Sequence, residues 1–154
     1  MKNRLIMMCV GLLLGMTSAA QAKGYCTNAT IHGTYAFTVH GYILAGPPVM
    51  AAGGPVLVDG IAKTTFDGWG SLSQVDAVSQ NGNLPEASVW RSGTGSYHIN
   101  FDCTGTMTIA NPGMPPLQLA IVVGRGGKTI HTVVLNPGFA ITSDAEWLEL
   151  AGPR

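Results

Sequence analysis

A chain of 154 residues has the length of one domain. Its 8 basic and 8 acidic side chains cancel, only 10% of residues are charged, and 46% are hydrophobic alongside 21 glycines. That balance argues against a disordered chain, a basic nucleic-acid-binding surface and a charged helical bundle, and leaves a turn-rich β domain.

The N-terminus reads as a targeting segment. A basic start (Lys2, Arg4) precedes an apolar run from Leu5 to Gly15 and a small-residue end, Ala20-Gln21-Ala22. This is the pattern of a cleaved secretory signal peptide over residues 1–22, and the run is shorter than the ~20 residues a spanning helix needs. Cleavage removes Lys2, Arg4 and Cys9, so the expected mature chain, residues 23–154, is a slightly acidic single domain without a transmembrane segment. It is expected to act in the periplasm or outside the cell. Two cysteines remain, Cys26 and Cys103. In an exported chain they are expected to form one structural disulfide. Closing so long a loop contributes roughly 4 kcal/mol in the chain-entropy view, and the absence of C-x-x-C argues against redox activity.

Turn signals recur through the mature region at the spacing of an all-β sandwich or barrel. Strands are expected near 33–45, 56–66, 70–79, 87–92, 95–102, 104–110, 117–124, 128–135 and 139–149. Between them lie Gly46-Pro47-Pro48, Gly53-Gly54-Pro55, Asp67-Gly68, Asn81-Gly82, Gly93, Asn111-Pro112-Gly113, Gly126-Gly127 and Asn136-Pro137-Gly138. Period-two alternation buries Tyr35, Phe37, Val39 and Ile43 in the first strand, and Tyr97, Ile99 and Phe101 in a later one. Leu117 to Val123 is apolar on both faces, as in a strand covered on both sides. Gly68 and Gly70 around Trp69 mark a bulged hairpin tip with a half-exposed tryptophan. Ser143-Asp144-Ala145-Glu146 fits a capping box, so residues 143–150 read as strand or short helix, with strand favoured by Phe139-Ala140-Ile141-Thr142. The predicted fold is an antiparallel up-and-down barrel of about eight strands, which would leave no open edge. A β-sandwich is the rival.

The residues Cys26, Gly33-Thr34-Tyr35-Ala36-Phe37, Phe66-Asp67-Gly68-Trp69-Gly70, Gly95-Ser96-Tyr97 and Asp102-Cys103-Thr104-Gly105-Thr106 carry a resemblance. With them the chain resembles small exported bacterial proteins of the allene oxide cyclase barrel-like class, related in shape to lipocalins and other calycins. The resemblance covers nearly the whole mature chain and implies an eight-stranded barrel with an apolar interior. The plant cyclases of that shape bind and cyclise an oxidised fatty acid, but none of their catalytic residues is matched here.

Known catalytic spacings are absent. His32, His40, His98 and His131 form no H-x-H or H-E-x-x-H pair, so a metal would need convergence from separate strands; no metal and no cofactor are expected. Most of the acidic residues are expected at turns or on polar faces, with Asp67 and Asp102 serving Asx-type turns, and periodicity identifies none on an apolar face. Gly124-Arg125-Gly126-Gly127-Lys128 reads as a turn rather than a phosphate cradle. Asn28-Ala29-Thr30 reads as an accidental glycosylation sequon, and Leu44 to Val58 as a long apolar loop or a lid at the barrel mouth. Tyr35, Phe37, Val39, Tyr97, Ile99, Phe101 and Trp90 are the candidate lining of a ligand cavity; Trp147 is expected to join these aromatics in the core. The leading functional expectation is a secreted or periplasmic barrel that binds a small apolar molecule. The alternatives are a protein-interaction scaffold of the envelope and a cyclase or isomerase acting on an oxidised lipid-like substrate.

Overall fold

A computed structural model describes residues 25–84 and 89–149. The segment read as a signal peptide lies outside the described residues, as does part of the strand expected at 87–92. The chain forms eight strands: β1 (Gly33–Ile43), β2 (Val56–Phe66), β3 (Ser71–Gln80), β4 (Arg91–Ile99), β5 (Thr104–Ala110), β6 (Leu117–Gly124), β7 (Thr129–Val134) and β8 (Phe139–Trp147). Each pairs antiparallel with the next and β8 pairs with β1, giving a closed up-and-down barrel. The expected class is therefore observed, and closure rather than a sandwich resolves the alternative. The 143–147 stretch continues β8 as strand.

Alternation along each strand sets what faces inward. Tyr35, Phe37, Val39 and Ile43 of β1 turn in, and so do Gly105, Met107 and Ile109 of β5 and Leu119, Ile121 and Val123 of β6. The expectation that β6 is covered on both faces is corrected. Its outer residues Gln118 and Val122 are exposed, because the barrel wall is a single layer.

The two strands expected at 87–92 and 95–102 are in fact one. Gly93 looks like turn punctuation, but it and Gly95 pair in register with Gln74 and Leu72 of β3. They are glycine for close approach: a Cβ on Gly95 would stand 2.0 Å from the Thr108 carbonyl oxygen, and one on Gly93 2.4 Å from Asn111 Oδ1. The strand ends at Ile99, where Asn100 to Cys103 turn the chain into β5. Phe101 is thus on the turn, 73% exposed and edge-on to Tyr25, rather than in the barrel.

One end of the barrel is sealed by the N-terminal segment. A single 3₁₀ turn, Asn28–Thr30, leads the fully buried Ile31 across that end. The Asn28 side chain is spent on this seal: its Oδ1 accepts from the Ile99 N–H at 2.8 Å and its Nδ2 donates to the Trp69 carbonyl at 3.1 Å. The Tyr97 hydroxyl donates to the carbonyls of Asn28 and Ile31, and the Tyr35 hydroxyl to that of Gly127. Phe66 lies at the centre of the layer above, edge-on to Tyr35 at 5.4 Å and to Tyr97 at 5.0 Å. These rings form an aromatic floor. The Cys26–Cys103 disulfide, across 77 positions, ties the seal to the β4–β5 turn. Asp67 and Asp102 serve turns as expected: Asp67 Oδ1 accepts from the N–H groups of Trp69, Gly70 and Ser71, and Asp102 Oδ1 from Thr104. Trp69 itself is 88% exposed, not half-buried.

Two stability predictions follow from the sealed end. Replacing both cysteines by alanine should lower unfolding free energy by roughly 4 kcal/mol, read as a lower urea midpoint; an unchanged midpoint would remove the staple from the account. Burial raises the titration of the Tyr35 and Tyr97 hydroxyls above the ordinary tyrosine value, outweighing backbone hydrogen bonds that lower it. Their contribution is fully present below about pH 10 and lost as pH rises through the raised values. Melting temperature should therefore fall above about pH 10, and the Tyr35→Phe/Tyr97→Phe variant should show a shallower fall.

Candidate functional site

Above the aromatic floor the barrel is not filled. Phe37, Val58, Ala62, Met107, Leu119 and Ile141 surround a cavity of about 200 Å³ that opens at the end opposite the seal. The side chains available at this level of the wall, among them Ala62, Ser143 and Thr132, are too small to meet across an eight-stranded barrel.

Besides Gln80 and Asn136, polar groups occupy two places on this apolar wall. On β7 and β8 the hydroxyls of Thr132 and Ser143 bond to one another at 2.6 Å. Four strands away, β3 and β4 place Asp76 directly opposite Arg91, both turned inward. Arg91 Nε donates to Asp76 Oδ1 at 2.8 Å and Nη2 to Oδ2 at 3.2 Å, a side-on fork. Asp76 Oδ2 also accepts from Gln74 Nε2 and Asn111 Nδ2, each at 3.2 Å, while Gln74 Oε1 accepts from the fully buried Thr64 hydroxyl. The side chains of Arg91 and Asp76 are 13% and 9% exposed. Gly93 makes room for this arrangement, since any side chain there would displace Asn111.

The inward Asp76 corrects the reading that no carboxylate stands on an apolar face. β3 is mixed on both faces, so alternation alone does not choose between Leu72, Gln74, Asp76 and Val78 on one side and Ser73, Val75 and Ala77 on the other. A usable signal lay in the preceding hairpin: Phe66 faces inward and pairs with Leu72, which carries Asp76 in with it. Arg91 was hidden by the misplaced break at Gly93.

Of the expected cavity lining, Phe37 and Val39 border the cavity. Tyr35, Tyr97 and Ile99 are buried in and below the floor, where their hydroxyls and side chains serve the seal. Phe101 is outside on its turn, and Trp90 is 51% exposed just before β4. Trp147 is partly exposed at the end of β8, its indole against Gly33. The histidines do not converge. His40, His98 and His131 are exposed on the outer faces of β1, β4 and β7, where His40 pairs with Asp59 at 3.0 Å and His131 with Asp144 at 2.6 Å.

The two ends of the barrel differ in charge. The described residues of the open-end connections, 44–55, 81–84, 89–90, 111–116 and 135–138, include no charged side chain, and Leu44, Met50, Leu84, Met114 and Leu135 are exposed there; Glu86 lies outside the described residues. The connections at the sealed end carry Asp67, Asp102, Arg125 and Lys128. The stretch expected as a loop or lid contains a short helix, α1 (Pro47–Ala52), which starts on two prolines and ends at Gly53 in the left-handed region. None of its residues is buried and none borders the cavity.

The site is thus that of an eight-stranded barrel, sealed at one end, with an apolar cavity open at the other. Comparison with known proteins finds no family model, no curated protein and no solved structure that matches the chain.

Breaking the ion pair should be costly where replacing it is not. Arg91→Ala leaves Asp76 buried without its cation and should destabilise the fold by about 3–5 kcal/mol. The volume-conserving Asp76→Leu/Arg91→Met pair should lie much closer to wild type in urea denaturation; equal losses in both would show that the pair itself stabilises the barrel.

Proposed function

We propose that this protein is exported and binds a small apolar molecule in the open half of its barrel. The observation that carries the reading is the unfilled cavity of about 200 Å³, walled by aliphatic and aromatic side chains. An apolar space is the environment such a solute prefers to water. Export is supported by the basic start, apolar run and Ala20-Gln21-Ala22 of the sequence, and a disulfide is at home in an oxidising compartment. Binding without transformation is favoured over a cyclase or isomerase. Both oxygens of the inward Asp76 are engaged by Arg91, Gln74 and Asn111, and the buried tyrosine hydroxyls are tied to backbone carbonyls of the seal.

The test is to fill the space. Ala62→Phe places a ring in the cavity, and it should preserve the barrel by circular dichroism while abolishing binding. With isopropylbenzene as probe, wild-type protein should show saturable amide shifts at Val58, Leu119 and Ile141 in a heteronuclear NMR titration. Shifts that are absent in wild type, or unchanged in the Ala62→Phe variant, would refute the reading.

A further inference from the structure

The ion pair inside the cavity is an unusual expense for a wall that otherwise excludes charge, and its hydrogen bonding is unevenly completed. A guanidinium offers five N–H donors. Asp76 takes two of them, through Nε and one N–H of Nη2. Nη1 has the thioether of Met114 at 3.5 Å, a weak acceptor on a flexible side chain of the 111–116 connection. The end-on edge of Arg91, formed by Nη1 and the second N–H of Nη2, therefore has no strong acceptor among the described residues, and Arg91 borders the cavity. Asp76, by contrast, is saturated.

We propose that the cavity selects apolar molecules carrying one neutral hydrogen-bond acceptor, of the ketone, aldehyde or ester class, whose oxygen displaces Met114 and seats on the end-on edge of Arg91. The proposal rests on the binding function above and specifies the ligand. Charge decides against the obvious alternative, a carboxylate. Among the described residues, Arg91 and Asp76 are the only charged ones bordering the cavity, and they cancel. A carboxylate would add an uncompensated negative charge to an apolar space, at a cost a neutral oxygen does not incur. A carbonyl oxygen gains a charge-assisted hydrogen bond and leaves the site neutral. A pure hydrocarbon gains nothing from Arg91 and leaves those donors unmatched. Size limits the class further: apolar cavities of about 150 Å³ accept benzene, so about 200 Å³ suits a molecule of about ten non-hydrogen atoms.

Three probes of nearly equal shape and nine non-hydrogen atoms, ~9 each by composition, separate the possibilities: acetophenone, benzoate and isopropylbenzene. Calorimetric titration of the mature, disulfide-bonded protein should give acetophenone an affinity at least about tenfold above that of benzoate. In the Asp76→Leu/Arg91→Met variant, acetophenone should weaken about tenfold while isopropylbenzene holds or gains. Benzoate binding as tightly as acetophenone to wild type would overturn the proposal, and that comparison stands whether or not the variant folds. Equal changes for acetophenone and isopropylbenzene in a folded variant would overturn it too, since Arg91 would then not be the handle, while leaving cavity binding intact. If none of the three binds wild type, the binding function itself falls along with the ligand class.

Discussion

Closure of the sheet at the β1–β8 seam is the constraint from which the rest follows. β1 pairs with β2 along its whole length and with β8 from Tyr35 to Ile43, so neither edge is left open. Once the ring is closed, every residue of every strand is inside or outside, and the interior has a width set by eight strands. Whether that interior is solid or hollow then depends only on side-chain volume at each level. Near the seal, Tyr35, Phe66 and Tyr97 meet at the centre with Ile31 beneath them. Higher up, alanine, threonine and serine stand where rings would be needed, and a cavity remains.

The seal and the cavity divide the work of the inward polar groups. At the sealed end, hydroxyls and an asparagine bond to backbone groups that would otherwise be buried without partners, which makes them structural. At the open end the Asp76–Arg91 pair faces space rather than backbone. Gln74, itself bonded by Thr64, and Asn111 hold its carboxylate in place, while among the described residues the far edge of the guanidinium meets only the thioether of Met114. Outside, charged side chains stand on the connections at the sealed end, and among the described residues none stands on those at the open end.

How much of this was legible depended on how local the determinant was. β2, β5 and β6 end where their turn residues predict, and the inward set of β1 follows from strict alternation around Tyr35 and Phe37. The disulfide followed from the two cysteines that remain once residues 1–22 are read as a signal peptide. Gly93 misled because glycine serves two purposes: it breaks strands at turns, and it lets neighbouring groups approach where a Cβ would collide. Of the expected cavity lining, only Phe37 and Val39 border the cavity. Alternation reports the inward side of a strand but not the height along the barrel axis, and height separates floor from cavity.

The amino-acid sequence by itself determined the class of fold, the number of strands to within one, the Cys26–Cys103 link and the turn roles of Asp67 and Asp102. All of these rest on periodicity, turn chemistry and cysteine count within short stretches of chain. Only the tertiary structure decided that the sheet closes, that residues 26–31 seal one end, and that Asp76 meets Arg91 inside an open cavity. Those features depend on strand register and on the summed volume of side chains from all eight strands. No single stretch of sequence carries that sum.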